Sequence, residues 1–384
     1  MPPSHLYIHV PFCARRCSYC DFSIAVRSTT PVDEYTSALR TELASGTLQG
    51  SVLDTVYLGG GTPSRLGGLG IADVLSSVRG QATIALKAEI TIEANPDDVN
   101  DVAVAQWLAA GVNRVSLGSQ SFDDVVLAWM HRTHDAAQIG DAVKSLRRGG
   151  IANVSLDLIF ALPASLNRSW ERDLTLALDL EPEHVSLYGL TVEAHTPIAR
   201  WADRGAVVEG TEAQYEEEFL LADESMSGAG FEHYEVSNFS LPGKASRHNS
   251  AYWTGEAYAG VGPSAHSFDG TARRWNISAY TQWVRCLAEG RSVIAGEEIL
   301  TEENRKAEEV YLGLRTLNGL KIREPELQAV TRWVDAGWGE LDGCRLRLTP
   351  TGWLRLDSLA ADLAARRANR PQLASSSTPS HCYI

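Results

Sequence analysis

The sequence predicts an α/β protein with a partial, open barrel of six β/α units, followed by a small winged-helix-like helical domain. Strand-like runs alternate with amphipathic helical segments through the first half of the chain, and this alternation predicts a parallel sheet wound by helices. Glycine-rich or polar residues follow the ends of these runs, where the chemistry of β/α barrels is placed. Six units rather than eight predict that the barrel does not close.

The strand-like runs are short and mostly apolar, and they lie at residues 6–12, 55–58, 89–93, 114–117, 153–160 and 184–190. The helical segments between them have one apolar face, and they lie at residues 32–46, 99–111, 137–149 and 169–180. In the second helical segment Val104, Trp107 and Leu108 share a face. Asn100 can cap its start and Gly111 can end it.

The second half of the chain predicts different elements. We expect a helix over 209–225, a strand over 231–239, helices over 302–316, 323–336 and 354–365, and a hairpin over 341–348. We therefore divide the chain into a core domain (1–240), a linking region (241–300), a winged-helix-like domain (301–368) and a Pro/Ser-rich tail (369–384) that we expect to be disordered.

Composition narrows the function classes. The chain has 384 residues, of which 44% are hydrophobic, so it can form a sizeable core. No apolar run of about twenty residues predicts a transmembrane helix, and the N-terminus has no features of a signal peptide. We therefore expect a cytoplasmic protein. The net charge of −14 argues against nucleic acid as a partner, although winged modules often bind DNA.

The first strand leads directly into Cys13, Cys17 and Cys20, in a C-x3-C-x2-C spacing. Three thiolates can hold three irons of a [4Fe–4S] cluster and leave the fourth iron open to a small molecule. Two alternatives are a zinc site, with His9 or Asp21 as the nearest further ligands, and reduced surface thiols. The remaining cysteines are scattered and are predicted to be isolated thiols: Cys286, Cys344 and Cys382.

The ends of the later strands offer groups that suit a polar cofactor. Consecutive glycines allow close approach of backbone to a ligand, and Glu93 can accept two hydrogen bonds from a ribose diol. Gln120 and Arg132 can bind the polar end of a methionine moiety, Arg132 by pairing with a carboxylate. Asp157 lies in an otherwise apolar run, so it needs a partner, which could be Arg132 or a ligand hydroxyl.

Residues 247–267 combine two histidines, a Tyr-Trp pair and a glycine-rich loop. The aromatic side chains could face a flat ligand and a histidine could ligate iron. The alternative is a packed aromatic corner in which the histidines are satisfied by hydrogen bonds.

The order of these motifs resembles the radical S-adenosylmethionine (SAM) proteins related to oxygen-independent coproporphyrinogen III oxidase, and within them the HemW-type heme chaperones. The resemblance runs from about residue 6 to residue 365 and includes a similar C-terminal winged-helix domain. It implies that Cys13, Cys17 and Cys20 hold a [4Fe–4S] cluster whose open iron is chelated by SAM. It implies a SAM site of Tyr7, Gly60, Gly61, Thr62, Glu93, Gln120, Arg132 and Asp157, with Thr191 near the adenine.

Three features bear on the choice between chaperone and oxidase. Phe22 stands where the oxidases carry a further cysteine, and only twelve residues precede Cys13, whereas the oxidases have a long segment that helps to cover the porphyrinogen. The H-N-x-x-Y-W stretch that begins at His248 looks like the motif associated with heme binding in the chaperones, which implies His248 as a heme ligand. The loop at 262–266 has fewer glycines than is usual in the family.

The resemblance thus implies a protein that keeps the radical SAM core, binds heme and passes it to heme-accepting proteins. The expected cofactors are a [4Fe–4S] cluster, SAM and heme, no catalytic residue is assigned, and contact with membrane-bound acceptors would be peripheral. The alternative is an oxygen-independent coproporphyrinogen III oxidase, an enzyme that forms a 5′-deoxyadenosyl radical and decarboxylates its substrate. A tRNA-modifying radical SAM enzyme is a third possibility, and the acidic charge counts against it.

Overall fold

The centre of the fold is a twelve-stranded sheet in a computed structural model that describes residues 2–368. Six parallel strands lie side by side in chain order: β1 (His5–Val10), β2 (Val52–Gly60), β3 (Thr83–Ala94), β4 (Arg114–Gln120), β5 (Val154–Phe160) and β6 (His184–Gly189). All six predicted runs fall within or beside these strands. The prediction of an open barrel of six β/α units is confirmed.

The helices of the barrel are α1 (Val32–Leu43), α2 (Gly67–Arg79), α3 (Asp101–Ala110), α4 (Asp124–Trp129), α5 (Ala136–Gly149) and α6 (Trp170–Asp179). Their ends follow local chemistry that the sequence shows: Asn100 Oδ1 accepts a hydrogen bond from Ala103 N, and Gly111 ends α3 with a φ of 101°. Helix α2 was not predicted, because three glycines in its first turn are poor helix formers.

The two faces of β1 explain where a ligand can bind. Leu6, Ile8 and Val10 alternate along the strand and are completely buried in the core between sheet and helices. The residues between them point to the other face because side chains alternate along a strand. Those residues are polar or aromatic, and so the interior of the barrel offers hydrogen-bonding groups rather than a second apolar core.

Both edges of the barrel sheet are extended. Beside β6 lie β7 (Glu232–Glu235) and β8 (Asn238–Ser240), which form an antiparallel hairpin. The single strand predicted over 231–239 is therefore wrong, since the chain reverses within it. Beside β1 lies β9 (Tyr258–Val261), parallel to β1, followed by the antiparallel strands β10 (His266–Phe268), β11 (Ala272–Asn276) and β12 (Ile294–Ile299).

Four further helices accompany these edges: α7 (Pro197–Asp203), α8 (Glu212–Gly228), α9 (Arg247–Trp253) and α10 (Tyr280–Ala288). Helix α9 coincides with the H-N-x-x-Y-W stretch and begins after Ser246, whose hydroxyl accepts a hydrogen bond from Asn249 N. The predicted linking region at 241–300 thus supplies one helix with the motif and four strands of the main sheet.

The C-terminal region has the helices and hairpin predicted for a winged-helix-like domain. Its elements are α11 (Glu302–Arg315), α12 (Leu327–Asp335), α13 (Pro350–Trp353) and α14 (Leu356–Ala368), with a small sheet of β13 (Leu320–Lys321), β14 (Gly339–Asp342) and β15 (Arg345–Leu348). The Pro/Ser-rich tail at 369–384, with its predicted disorder and Cys382, lies outside the described residues.

Candidate functional site

A cavity of about 520 Å³ opens at the carboxyl ends of the six barrel strands. We call it the cluster cavity. It is lined by the three motif cysteines and by eight of the nine residues predicted to bind SAM: Cys13, Cys17, Cys20, Gly60, Gly61, Thr62, Glu93, Gln120, Arg132, Asp157 and Thr191. The fold therefore places together groups that lie up to 178 positions apart in the sequence, from Cys13 to Thr191.

The cysteine loop is held at the end of β1 by a short parallel pair of strands, Phe12–Cys13 with Ala25–Val26. Ser18 N also donates a hydrogen bond of 3.0 Å to Met130 O, just after α4. The loop is thus closed at its base by this strand pair and attached at its middle to the residue after α4, so that the positions of the thiols are set by the fold.

The thiols contact side chains from the loops that follow β2 and α4. Cys13 Sγ lies 3.4 Å from Thr62 Oγ1, and Arg132 Nη1 donates to Cys17 Sγ at 3.3 Å. Burial raises the pKa of the Cys13 thiol and raises that of Cys20 to about 11. Such thiols become thiolates when a cation binds among them and compensates their charge.

The arrangement of the thiols fits a cluster better than a single zinc ion. Within residues 2–368, no three His, Cys, Asp or Glu side chains are gathered as one metal ion requires. A cubane takes each thiolate at a different iron, so ligands spread around a cavity suit it. His9 is not free to complete a zinc site, because its Nδ1 accepts from Tyr7 OH at 3.1 Å and its Nε2 donates to Ser23 O at 3.0 Å.

Glu93 is held by two donors in the cavity wall. Its Oε1 accepts from Tyr57 OH at 2.8 Å and its Oε2 from Gly60 N at 3.0 Å. Burial, together with the nearby Asp157, raises the pKa of Glu93 to about 7. Each carboxylate oxygen retains a lone pair, so Glu93 can still accept hydrogen bonds from two adjacent ligand hydroxyls.

Gly60 and Gly61 form a stretch of bare backbone in the same wall. Gly60 has a φ of 111°, and a Cβ there would lie 2.5 Å from His9 Cε1. A Cβ on Gly61 would lie 2.6 Å from the carbonyl carbon of Pro11. Both positions therefore require glycine, and the side of the chain that faces the cavity presents peptide groups to a ligand.

Arg132 and Gln120 have the features of residues that await a ligand. Arg132 Nη2 donates to Asn95 Oδ1 at 2.7 Å and to Gly118 O at 2.8 Å, whereas its buried Nε has no hydrogen-bond partner in the described part of the chain. Gln120 has a φ of 67°, a conformation that costs roughly 1–3 kcal/mol and concentrates at ligand sites. A ligand carboxylate would satisfy the guanidinium.

Asp157 has a partner that the sequence did not indicate. Ser116 Oγ lies 3.0 Å from Asp157 Oδ1 and 3.2 Å from Oδ2. Of the two partners considered from the sequence, Arg132 makes no direct hydrogen bond to Asp157 in the described residues, and a ligand hydroxyl stays a prediction. Burial raises the pKa of Asp157 to about 6. The period of two along β4 could have identified Ser116, since Ser116, Gly118 and Gln120 all line the cavity.

Tyr7 does not line the cluster cavity, and its contact with SAM stays a prediction. It lines a second cavity of about 810 Å³, on the side of β1 that faces β9 and α9. Because Tyr7 lies three positions before Val10, where β1 ends, its ring lies deeper in the barrel than the ligand-facing groups. There it stacks with Tyr57, with ring centroids 6.1 Å apart.

His248 is a buried histidine with both ring nitrogens engaged. Its side chain is 1% exposed, its Nδ1 lies 2.7 Å from Thr55 Oγ1, and its Nε2 lies 2.8 Å from Tyr252 OH. Burial lowers the pKa of His248 to about 3, so the ring is neutral. The geometry does not support His248 as a heme ligand, because no ring nitrogen is left for iron. This position matches the alternative, a histidine whose two ring nitrogens are both hydrogen-bonded within the protein.

The fold and the cluster cavity define a radical SAM protein, and the model of the Radical SAM superfamily matches residues 7–177. Heme chaperone HemW of Lactococcus lactis is 34% identical over 324 residues, which cover 84% of each chain. HemW of Mycobacterium tuberculosis is 36% identical over 369 residues, 94% of this chain and 95% of that one. The chain belongs to the family of HemW heme chaperones.

A solved structure shows the same fold. Coproporphyrinogen III oxidase (HemN) of Escherichia coli, described as a radical SAM enzyme, superposes with a TM-score of 0.79 and 21% identity, over 95% of this chain and 91% of that one. HemW of the same organism is 36% identical over 269 residues. Membership of the superfamily implies a [4Fe–4S] cluster and SAM as resident cofactors.

Proposed function

We propose that this protein is a heme chaperone that binds heme and delivers it to acceptor proteins. The observation that carries the proposal is the similarity to proteins named heme chaperone HemW over nearly the whole chain. The oxidase is not favoured, because its counterpart in Escherichia coli is only 21% identical and Phe22 replaces a cysteine typical of the oxidases. Phe22 is 59% exposed at the mouth of the cluster cavity, with no thiol to offer.

We further propose roles for the residues of the cluster cavity. Cys13, Cys17 and Cys20 hold a [4Fe–4S] cluster, which when bound supplies one-electron reducing power and an open iron for the amino and carboxylate groups of SAM. Arg132 pairs with the SAM carboxylate and Glu93 accepts from the ribose hydroxyls. The remaining SAM contacts come from Gly60, Gly61, Thr62, Gln120, Asp157 and Thr191, the last at the exposed mouth.

We propose a role for each region of the chain and a compartment in which the protein acts. Residues 1–240 hold the cofactors, 241–300 contribute to heme binding and 301–368 form the accessory winged-helix-like domain. The protein acts in the cytoplasm, where the five cysteines of the described residues, all free, stay reduced. No helix of residues 2–368 has the length and apolar character to cross a bilayer, and contact with membrane-bound acceptors is proposed to be peripheral.

Delivery can be tested by the kinetics of heme transfer. The protein is loaded with one equivalent of heme, freed of excess heme by gel filtration and mixed with a purified apo-b-type cytochrome. Direct transfer predicts a rate that rises with the concentration of the acceptor. A rate independent of that concentration would indicate release into solvent and would contradict delivery by this protein.

A further inference from the structure

The second cavity lies between the extended edge of the sheet and the C-terminal domain. Residues of α9, β9 and β10 form one wall, and residues of α11 and β13 form the other. Its volume of about 810 Å³ is within the range of roughly 300–1,000 Å³ typical of cofactor sites. We call it the aromatic cavity, after the rings that line it: Tyr7, Tyr252, Trp253, Tyr258 and Phe268.

These rings are supported by the strands and by one another. Tyr258 and Phe268 are direct cross-strand partners on β9 and β10, and the rings of Tyr252 and Tyr258 meet edge to face with centroids 4.6 Å apart. A wall of fixed aromatic side chains favours a large planar ligand, because ring faces and edges can both contact its π system.

Four histidines lie in or beside this cavity, and three of them are fully engaged: His5, His9 and His248. The fourth, His266, lines the cavity with an exposed ring, and neither of its nitrogens makes a hydrogen bond within residues 2–368. Trp275 stacks against that ring with centroids 6.0 Å apart. His266 is therefore the histidine that can give a nitrogen to a metal.

The protonation state of His266 suits this role. Desolvation, together with the positive charge of Arg273, lowers the pKa of His266 from its ordinary value. Neutral imidazole is the form that binds iron.

Among the charged side chains that line the cavity, two cations have no ion-pair partner in the described residues. Its three carboxylates each have a partner: Glu256 is hydrogen-bonded to His5 Nε2 at 2.9 Å, Glu308 pairs with Arg273 at 2.5 Å and Glu309 pairs with Arg367 at 3.4 Å. Arg305 and Lys321 also line the cavity, and neither forms an ion pair in the described part of the chain. Two unpaired cations beside an aromatic cavity match a planar ligand with two carboxylates.

We propose that the aromatic cavity is the heme site, with His266 as the axial ligand and with Arg305 and Lys321 pairing with the two propionates. The inference rests on the proposed function, since it names where and how the heme is held. In this proposal the heme and the cluster occupy different cavities, and the stacked rings of Tyr7 and Tyr57 lie between the two.

The H-N-x-x-Y-W stretch then acts by positioning rather than by ligation. The Nε2 of His248 holds the hydroxyl of Tyr252, and Tyr252 and Trp253 belong to the wall of the aromatic cavity. The ring of His248 also stacks on Tyr57, whose hydroxyl donates to Glu93 of the cluster cavity. His248 thus contacts Tyr252 of the aromatic cavity directly and is connected to Glu93 of the cluster cavity only through Tyr57.

The axial ligand is tested with ferric heme on the cluster-loaded protein. His266→Ala is expected to weaken heme binding by at least about tenfold and to remove the absorption spectrum of histidine-ligated heme, and added imidazole is expected to restore that spectrum. His195→Ala, which removes an exposed histidine outside the cavity, serves as the matched control and is expected to behave as the wild type. Unchanged cluster absorbance in each variant shows that the protein has folded.

The propionate contacts are tested by changing both partners. The double substitution Arg305→Gln with Lys321→Gln is expected to weaken heme binding by about tenfold or more, because charge-assisted hydrogen bonds are lost. The loss should vanish with heme dimethyl ester, whose propionates carry no charge. Arg332→Gln, at an exposed position of α12, is the control.

The outcomes separate the inference from the proposed function. A wild-type protein that binds no heme overturns the proposed function and the inference with it. Wild-type binding that survives in His266→Ala with its spectrum intact overturns only the inference. His248→Ala is expected to weaken binding while keeping the histidine-ligated spectrum; loss of that spectrum in His248→Ala, with rescue by imidazole, would assign the ligand to His248 and contradict the proposal.

Discussion

Single residues of the cluster cavity have distinct partners, and these partners define what each can do. Cys13 is beside a hydroxyl, Cys17 is beside a guanidinium, and Glu93 already accepts from a tyrosine and a peptide N–H. Each group therefore has a different predicted role, and single substitutions can test these roles separately.

Loss of any motif cysteine should remove the cluster. Cys13→Ser, Cys17→Ser and Cys20→Ser are each expected to abolish the absorption and EPR signals of a [4Fe–4S] cluster after anaerobic reconstitution, because three thiolates are the only protein ligands proposed. Cys344→Ser is the matched control, since Cys344 is half-buried like the motif cysteines. A cluster lost in the control would reassign a ligand.

Glu93→Ala should weaken SAM binding. Hydrogen bonds to a charged group are worth about 1.5–3 kcal/mol each, so we expect a loss of roughly tenfold or more in affinity by calorimetry. Glu171→Ala removes an exposed carboxylate on α6 and should leave the affinity unchanged. Equal affinity of Glu93→Ala and wild type would place Glu93 outside the SAM site.

The sequence predicted which residues would meet at the cluster cavity but not how Tyr7 and His248 would be used. Strand ends meet by the geometry of parallel sheets, so motif positions there could be placed in advance. The depth of Tyr7 depends on where β1 ends. The engagement of His248 depends on Thr55, 193 positions away, and no local pattern shows such a partner.

At the scale of elements, β9 pairs with β1 and contributes Tyr258 to the aromatic cavity, and the junction of the two strands is closely packed. Gly262 follows β9 with a φ of 96° and contacts the backbone of β1. The carboxylate of Glu42 on α1 accepts hydrogen bonds from Gly262 N, Asn276 Nδ2 and Trp283 Nε1, at 2.6–3.0 Å. One buried side chain thus connects α1, the loop after β9, β11 and α10.

Gly262→Ala should destabilise the protein more than Gly270→Ala. Both glycines have positive φ, of 96° and 91°, so both variants incur a conformational cost of about 1–2 kcal/mol. A Cβ on Gly262 would also lie 2.5 Å from His9 O, whereas nothing lies within 4 Å of one on Gly270. We expect a further cost of about 1–3 kcal/mol in the free energy of unfolding, measured with denaturant. Equal costs would contradict the close contact of the loop with β1.

Glu42 should make stability depend on pH. Burial raises its pKa from 4.5 to about 7, so between these values the folded protein holds a proton that the unfolded chain releases. The free energy of unfolding of the wild type should therefore fall as pH rises from 4.5 to 7, by about 3 kcal/mol relative to Glu42→Gln. We compare the slopes of the free energy of unfolding against pH in the two proteins, because hydrogen bonds lost in the variant change that free energy by the same amount at every pH. Parallel curves would contradict a buried, titrating Glu42.

At the scale of the whole molecule, one sheet carries two cavities with different chemistry. The cluster cavity, with thiols, carboxylates and an arginine, lies at the carboxyl ends of β1–β6, whereas the aromatic cavity lies where β9 and β10 meet the C-terminal domain. The alternation of strands and helices predicted the first half of this architecture. The strands from 258 to 299 were not predicted, because they are short and their sheet partners are set by pairing across distant segments.

The central claim is that the molecule binds heme and does not act on coproporphyrinogen III. The most direct test divides one anaerobically reconstituted, SAM-loaded preparation into two parts, titrates one with heme and incubates the other with coproporphyrinogen III and a reductant. We predict saturation at one heme per chain and no decarboxylated product above the level of a Cys17→Ser control. Product formed at the rate of a working enzyme, with no saturable heme binding, would contradict the account.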